Sequence, residues 1–154
     1  MNTNSGELSS AQSRSSDAVS RVAPGASKAF RAIAISPATD FTLTSQALKS
    51  VYDPIISSRT MPEFRERYLR DSDPRQPLAS PLFGDYRGLP PLLIQLGEHE
   101  MLRDDAIRVA KKARADGVPV TLEIWPGMVH VFQIRGLPES REAIQRIGEM
   151  VRGK

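Results

Sequence analysis

"PPLLIQLGEHEMLRDDAIRVAKKARADGVPVTLEIW", residues 90–125, changes its periodicity twice. It opens on a short, nearly continuous apolar run, "LLIQL", of the kind found in strands covered on both faces. Ala106, Val109, Ala110 and Ala113 then recur at helical spacing, with charges on the opposite face and Gly117 as the stop. "GVPVTLEIW" returns to alternation with β-branched residues, a strand signal. Strand, helix, strand over this length predicts two parallel strands joined by a right-handed crossover.

Outward from this unit, "FRAIAIS" at 30–36 reads as another strand, stopped by Ser36 and Pro37. "LPESREAIQRIGEMVRGK" predicts a terminal helix, with Pro138 near its start and Glu139 and Glu142 in its early turns. Its Ile144, Ile147 and Val151 form a stripe expected to pack on the sheet. Between the first two strands lies an insertion, 36–90, repeatedly interrupted by proline. It holds one expected helix, "MPEFRERYL", in which Phe64 and Tyr68 share a face. So long a connection points to a lid or pocket wall. Residues 1–29, rich in Ser and lacking apolar periodicity, read as a disordered tail, leaving 30–154 as the ordered part. The fold class is α/β, with about three parallel strands and flanking helices.

Composition excludes several functions. The chain has 154 residues, a net charge of +3 and no cysteine, so disulfides, a thiol nucleophile and thiolate metal sites are ruled out. Two histidines among scattered carboxylates match no metal-ligand spacing. No basic run is interleaved with aromatics, so a nucleic-acid partner is not expected. No apolar run reaches the length of a membrane span, and no signal-peptide core follows Met1, which makes the cytoplasm the default location.

In an open parallel sheet, functional side chains gather beyond the carboxyl ends of the strands. Glu100 follows the second strand and His130, in "WPGMVHVF", follows the third, so a carboxylate and an imidazole could meet there as an acid and base. The plainer alternatives are a solvated loop carboxylate for Glu100, helix capping for Asp104 or Asp105, an exposed turn for His99 and a structural histidine for His130.

"AIAISPATDFT", "DPRQPLASPLFGDYRGLPPLLIQLGEHEMLRDDA" and "GVPVTLEIWPGMVHVFQ" together resemble the C-terminal part of the α/β-hydrolases related to hormone-sensitive lipase, the fold-3 bacterial carboxylesterases. The resemblance runs from about Phe30 to the C-terminus. It implies a carboxylic-ester hydrolase acting on small esters, without cofactor or metal. The family's acid stands in a pattern like G-x-x-D-x-L-x-D-[DE], matched by Gly97, Leu102, Asp104 and Asp105, with Glu100 in place of the commoner Asp. Its base stands in P-G-x-x-H-x-F, matched by Pro126, Gly127, His130 and Phe132. By this resemblance His130 and Glu100 are the catalytic base and acid, and the 36–90 insertion borders the substrate pocket.

The family's other two motifs, an HGGG oxyanion stretch and a G-x-S-x-G nucleophile elbow, do not occur in these residues. Ser27, in "GASKA", has Pro24 close before it instead of a strand and is not expected to be a nucleophile. The expectation is therefore a truncated hydrolase, inactive alone, completed by a second chain or associating with itself. The alternatives are a non-catalytic interaction module and a degenerate remnant.

Overall fold

The structure is a computed structural model that describes residues 31–153. The expected tail at 1–29, Ser27 and Phe30 lie outside the described residues. Three strands, β1 (Ala32–Ile35), β2 (Leu92–His99) and β3 (Val120–Val129), form one sheet in the order β1-β2-β3, all parallel. Among the described residues four α-helices accompany them: α1 (Ala47–Ser50), α2 (Met61–Leu69), α3 (Arg103–Ala115) and α4 (Pro138–Arg152).

The central strand explains the layering. Leu93, Ile94, Gln95, Leu96 and Gly97 of β2 are all buried, as its unbroken apolar character predicts. Ile94 and Leu96 pack against Ala106, Val109, Ala110 and Ala113 of α3, with Val118 and Tyr86 closing the cluster. The alanines let the helix lie close to the strand. Truncating Ile94 in such a packed layer costs on the order of 2–5 kcal/mol. Asp104 and Asp105 begin α3 and Lys112 and Arg114 end it, matching the helix dipole at both ends. The chain turns out of α3 through Gly117 at φ +85°, a conformation L side chains rarely adopt.

Three expectations need correction. The Ile144 to Val151 stripe of α4 does not pack on the sheet: Ile144 is 51% and Val151 60% exposed, and α4 buries Ser140 and Ala143 instead. Small residues at those positions let α4 approach Gln95, whose amide donates to the Ala143 carbonyl at 3.0 Å. Asp104 does not cap its own helix. Leu102 is the N-cap of α3, and Asp104 Oδ2 accepts the Ala47 N–H of α1 at 2.8 Å. His99 is exposed, as expected, but closes β2 instead of sitting in a turn.

The insertion is ordered by contacts with the loop after β2. Leu48 of α1 and Met61 of α2 join Met101 and Leu102 in a second apolar cluster. Phe64 and Tyr68 do share a face of α2, their rings 6.2 Å apart, and Phe41 stacks on Tyr68 at 5.2 Å. No helix among the described residues is long and apolar enough to cross a membrane.

Candidate active site

The strands end at one edge of the sheet, and there the sequence supplies Ser36, Glu100 and His130. Glu100 is wholly buried. Its Oε2 lies 3.2 Å from Nδ1 of His130, so with the proton on Nδ1 the ring donates to the carboxylate. Its Oε1 accepts the Gly97 N–H at 2.5 Å and the Ser36 hydroxyl at 2.7 Å. A buried carboxylate needs such partners, because an unpaired charge away from water costs several kcal/mol. The solvated-loop alternative for Glu100 is therefore excluded.

A bulge brings His130 over Glu100. Gly97 pairs with Trp125, but His99 pairs with Val129, so β3 carries extra residues at this point. The Gly127 N–H donates to Glu98 Oε2 at 3.0 Å and holds the bulge outward. On either side of the loop, Trp125 and the fully buried Phe132 pack ring to ring at 5.5 Å. Their contact anchors both ends of the segment that presents His130. Immediately after it, Val131 takes φ +50°, unusual for a β-branched residue and costing on the order of 1–3 kcal/mol.

Beside His130 lies an apolar cavity of about 350 Å³, lined among others by Ser36, Ile56, Met61, Phe64 and Leu102. Its walls come from the β1 end, the insertion and the loop after β2. Behind α3's first turn sits a second group of charges. Asp40 Oδ2 accepts Arg108 Nη1 at 2.6 Å, and Asp105 Oδ1 lies 3.8 Å from the same nitrogen without a hydrogen-bond partner. Burial, then the neighbouring Asp40 charge, pushes the Asp105 carboxyl up to about 6. Burial alone would raise Asp40 as well, but hydrogen bonds from Thr42, Arg108 and Thr44 outweigh it and hold Asp40 below its ordinary value.

The two residues chosen from the sequence, Glu100 and His130, thus meet. The sequence pattern marks Ser36 only as a strand stop, whereas its hydroxyl donates to Glu100 Oε1 at 2.7 Å. A signal existed, since a hydroxyl at the carboxyl end of a parallel strand faces the edge where sites form.

Comparison with known proteins identifies the class. A family model described as alpha/beta hydrolase fold matches residues 16–134. The chain belongs to the α/β-hydrolase family, in the group related to hormone-sensitive lipase. An acetyl-hydrolase of Streptomyces hygroscopicus is 42% identical over 125 residues, which cover 79% of this chain and 42% of that protein. An esterase of Acinetobacter venetianus is 38% identical over 122 residues, covering 76% and 40%. Among solved structures, an esterase/lipase from an uncultured bacterium superposes with a TM-score of 0.76 at 44% identity, covering 80% of this chain and 42% of that one. An esterase from the bacterial hormone-sensitive lipase family gives 0.77 at 39% identity, with 80% and 43% covered. The chain thus spans about two fifths of the length of these relatives.

Proposed function

We propose that this chain carries the acid and base of a serine esterase site, with Glu100 as acid and His130 as base. The observation that supports the reading is the 3.2 Å approach of the buried Glu100 Oε2 to His130 Nδ1. In the complete site a serine hydroxyl attacks the ester carbonyl while His130 Nε2 takes its proton, then returns it to the departing alcohol. Glu100 keeps the imidazole in the Nδ1–H tautomer and stabilises the imidazolium that forms. Neither a metal nor an organic cofactor is needed. Small carboxylic esters are the substrates, in keeping with the relatives' names and with an apolar cavity of about 350 Å³ beside the imidazole. The nucleophile and oxyanion donors, for which these residues hold no motif, come from a separate polypeptide segment.

Labelling with a fluorophosphonate serine probe, read by intact mass, tests this. The 154-residue chain alone stays unlabelled. Mixed with the N-terminal portion of a related esterase that bears a G-x-S-x-G elbow, it supports labelling of that elbow serine, and His130→Ala abolishes the labelling. Stoichiometric labelling of the chain by itself overturns the reading.

A second reading, an interaction module, draws on β1. This strand pairs only with β2 among the described residues, and its Ile33 and Ile35 are each 36% exposed. An apolar strand beside an open edge is a pairing surface.

A further inference from the structure

Glutamate at the acid position has one more rotatable bond than aspartate, so its carboxylate needs more to hold it against the imidazole. The structure supplies this at Ser36, at the end of β1. The Ser36 N–H continues the ladder to Gln95 O at 2.8 Å, so its backbone is fixed by β2. Its Oγ accepts the Val131 N–H at 3.1 Å and lies 2.7 Å from Glu100 Oε1. A serine hydroxyl has a single proton. Because Val131 donates to the oxygen, that proton is left for the carboxylate, and the direction of both bonds is set. One side chain thus ties the acid loop to the residue next to the base, over sequence separations of 64 and 95. Ser36 and Val131 both hold left-handed conformations, φ +44° and +50°. Residues in such conformations persist where surrounding contacts over-determine them.

We infer that Ser36 is a positioning residue for the acid–base pair: its hydroxyl holds Glu100 Oε1 so that Oε2 faces His130 Nδ1, and its bond to Val131 fixes the imidazole's loop. The inference rests on the Glu100–His130 reading above. Ser36 is not itself the nucleophile, since its only proton is committed to the carboxylate and its oxygen to an amide. Its duty is to select the imidazole tautomer that leaves Nε2 free to accept a proton.

The test is the tautomer of neutral His130, read from ¹⁵N shifts of the labelled full chain, with His99→Asn removing the other histidine's signals. In the parent chain the Nδ1–H form dominates. Ser36→Gly removes the hydroxyl while tolerating the left-handed backbone. It is expected to lower the Nδ1–H to Nε2–H ratio about tenfold, the scale of one hydrogen bond to a charged group. Ser36→Asn, which accepts the same backbone conformation and returns a donor, restores part of the ratio. Glu100→Gln separates the two levels of the argument. If Glu100→Gln leaves the ratio unchanged, the acid–base pairing itself is wrong. If it shifts the ratio and Ser36→Gly does not, only the role of Ser36 is overturned. Should Ser36→Gly fail to fold, amide exchange on the parent chain decides. Protection of the Val131 amide supports the bridge, and exchange at the rate of an open loop overturns it.

Discussion

A Cβ placed on Gly97 would stand 2.3 Å from the carbonyl oxygen of Met128 and 2.8 Å from the Val129 nitrogen. The bulge of β3 lies directly against β2 at this point, and only a residue without a side chain lets it do so. The same glycine donates its N–H to Glu100, so the close approach and the position of the Glu100 carboxylate share one residue.

Gly97→Ala therefore forces backbone to move instead of a side chain. We expect a loss of about 1–3 kcal/mol, the cost of overpacking, measured by urea denaturation. The Glu100–His130 contact is lost with it, read from the His130 tautomer. A variant as stable as the parent, with the tautomer unchanged, would contradict the packing described.

Glu100→Ala removes the acceptor for two buried donors, the Ser36 hydroxyl and the Gly97 N–H. Each unsatisfied group costs about 1–3 kcal/mol, so Glu100→Ala should be markedly less stable than the parent. Glu100→Gln keeps an oxygen facing both donors and should lose less. Paired thermal melts of the two variants check the order, and equal losses would argue against the bonding assigned to Oε1.

Asp105 and Asp40 give stability opposite dependences on pH. Asp105 is raised in the folded chain to about 6, above its unfolded value of 3.8. Its protonation favours the fold, so stability from this group grows as pH falls through 6 and is fully present below 3.8. Over about two pH units that amounts to about 3 kcal/mol. Asp40 is lowered, so its contribution is present above 3.8 and is lost as pH falls through its folded value. From these two groups stability should therefore peak at about pH 4, where Asp105 is protonated and Asp40 is still charged. Asp105→Asn should flatten the rise between pH 7 and pH 4 and leave the acid limb in place. Urea midpoints across pH 3 to 8 provide the check.

Ile33 and Ile35 lie on the edge strand with their side chains part-exposed. The chain should self-associate as its concentration rises, and Ile33→Lys with Ile35→Lys should shift it toward monomer. Sedimentation velocity measures both. A parent chain that stays monomeric at high concentration would remove the support for a pairing surface.

The strand–helix–strand unit was legible because each element writes its own period. α3 spans Arg103–Ala115, close to the stretch picked by Ala106, Val109, Ala110 and Ala113. The alternating pattern ends near Trp125, whereas β3 runs to Val129. Pro126 and Gly127 look like breakers, and here they form a bulge held by Glu98. The stripe on α4 failed for a different reason. Periodicity shows that apolar residues share a face, but α4 buries Ser140 and Ala143, which hydrogen-bond to Phe132 and Gln95. Ser140 Oγ donates to the Phe132 carbonyl at 2.7 Å, a polar anchor that hydropathy does not register.

By itself the sequence determined the parallel α/β arrangement and the family, and it singled out Glu100 and His130 as candidates, because local periodicity and short motifs are properties of neighbouring residues. Only the tertiary structure decided that Glu100 is buried against His130, that Asp104 serves α1 instead of its own helix and that Ser36 joins the two loops. Those contacts span 30, 57, 64 and 95 residues. They depend on strand register and on a bulge at Gly97, which fix where three strand ends converge and which no local pattern encodes.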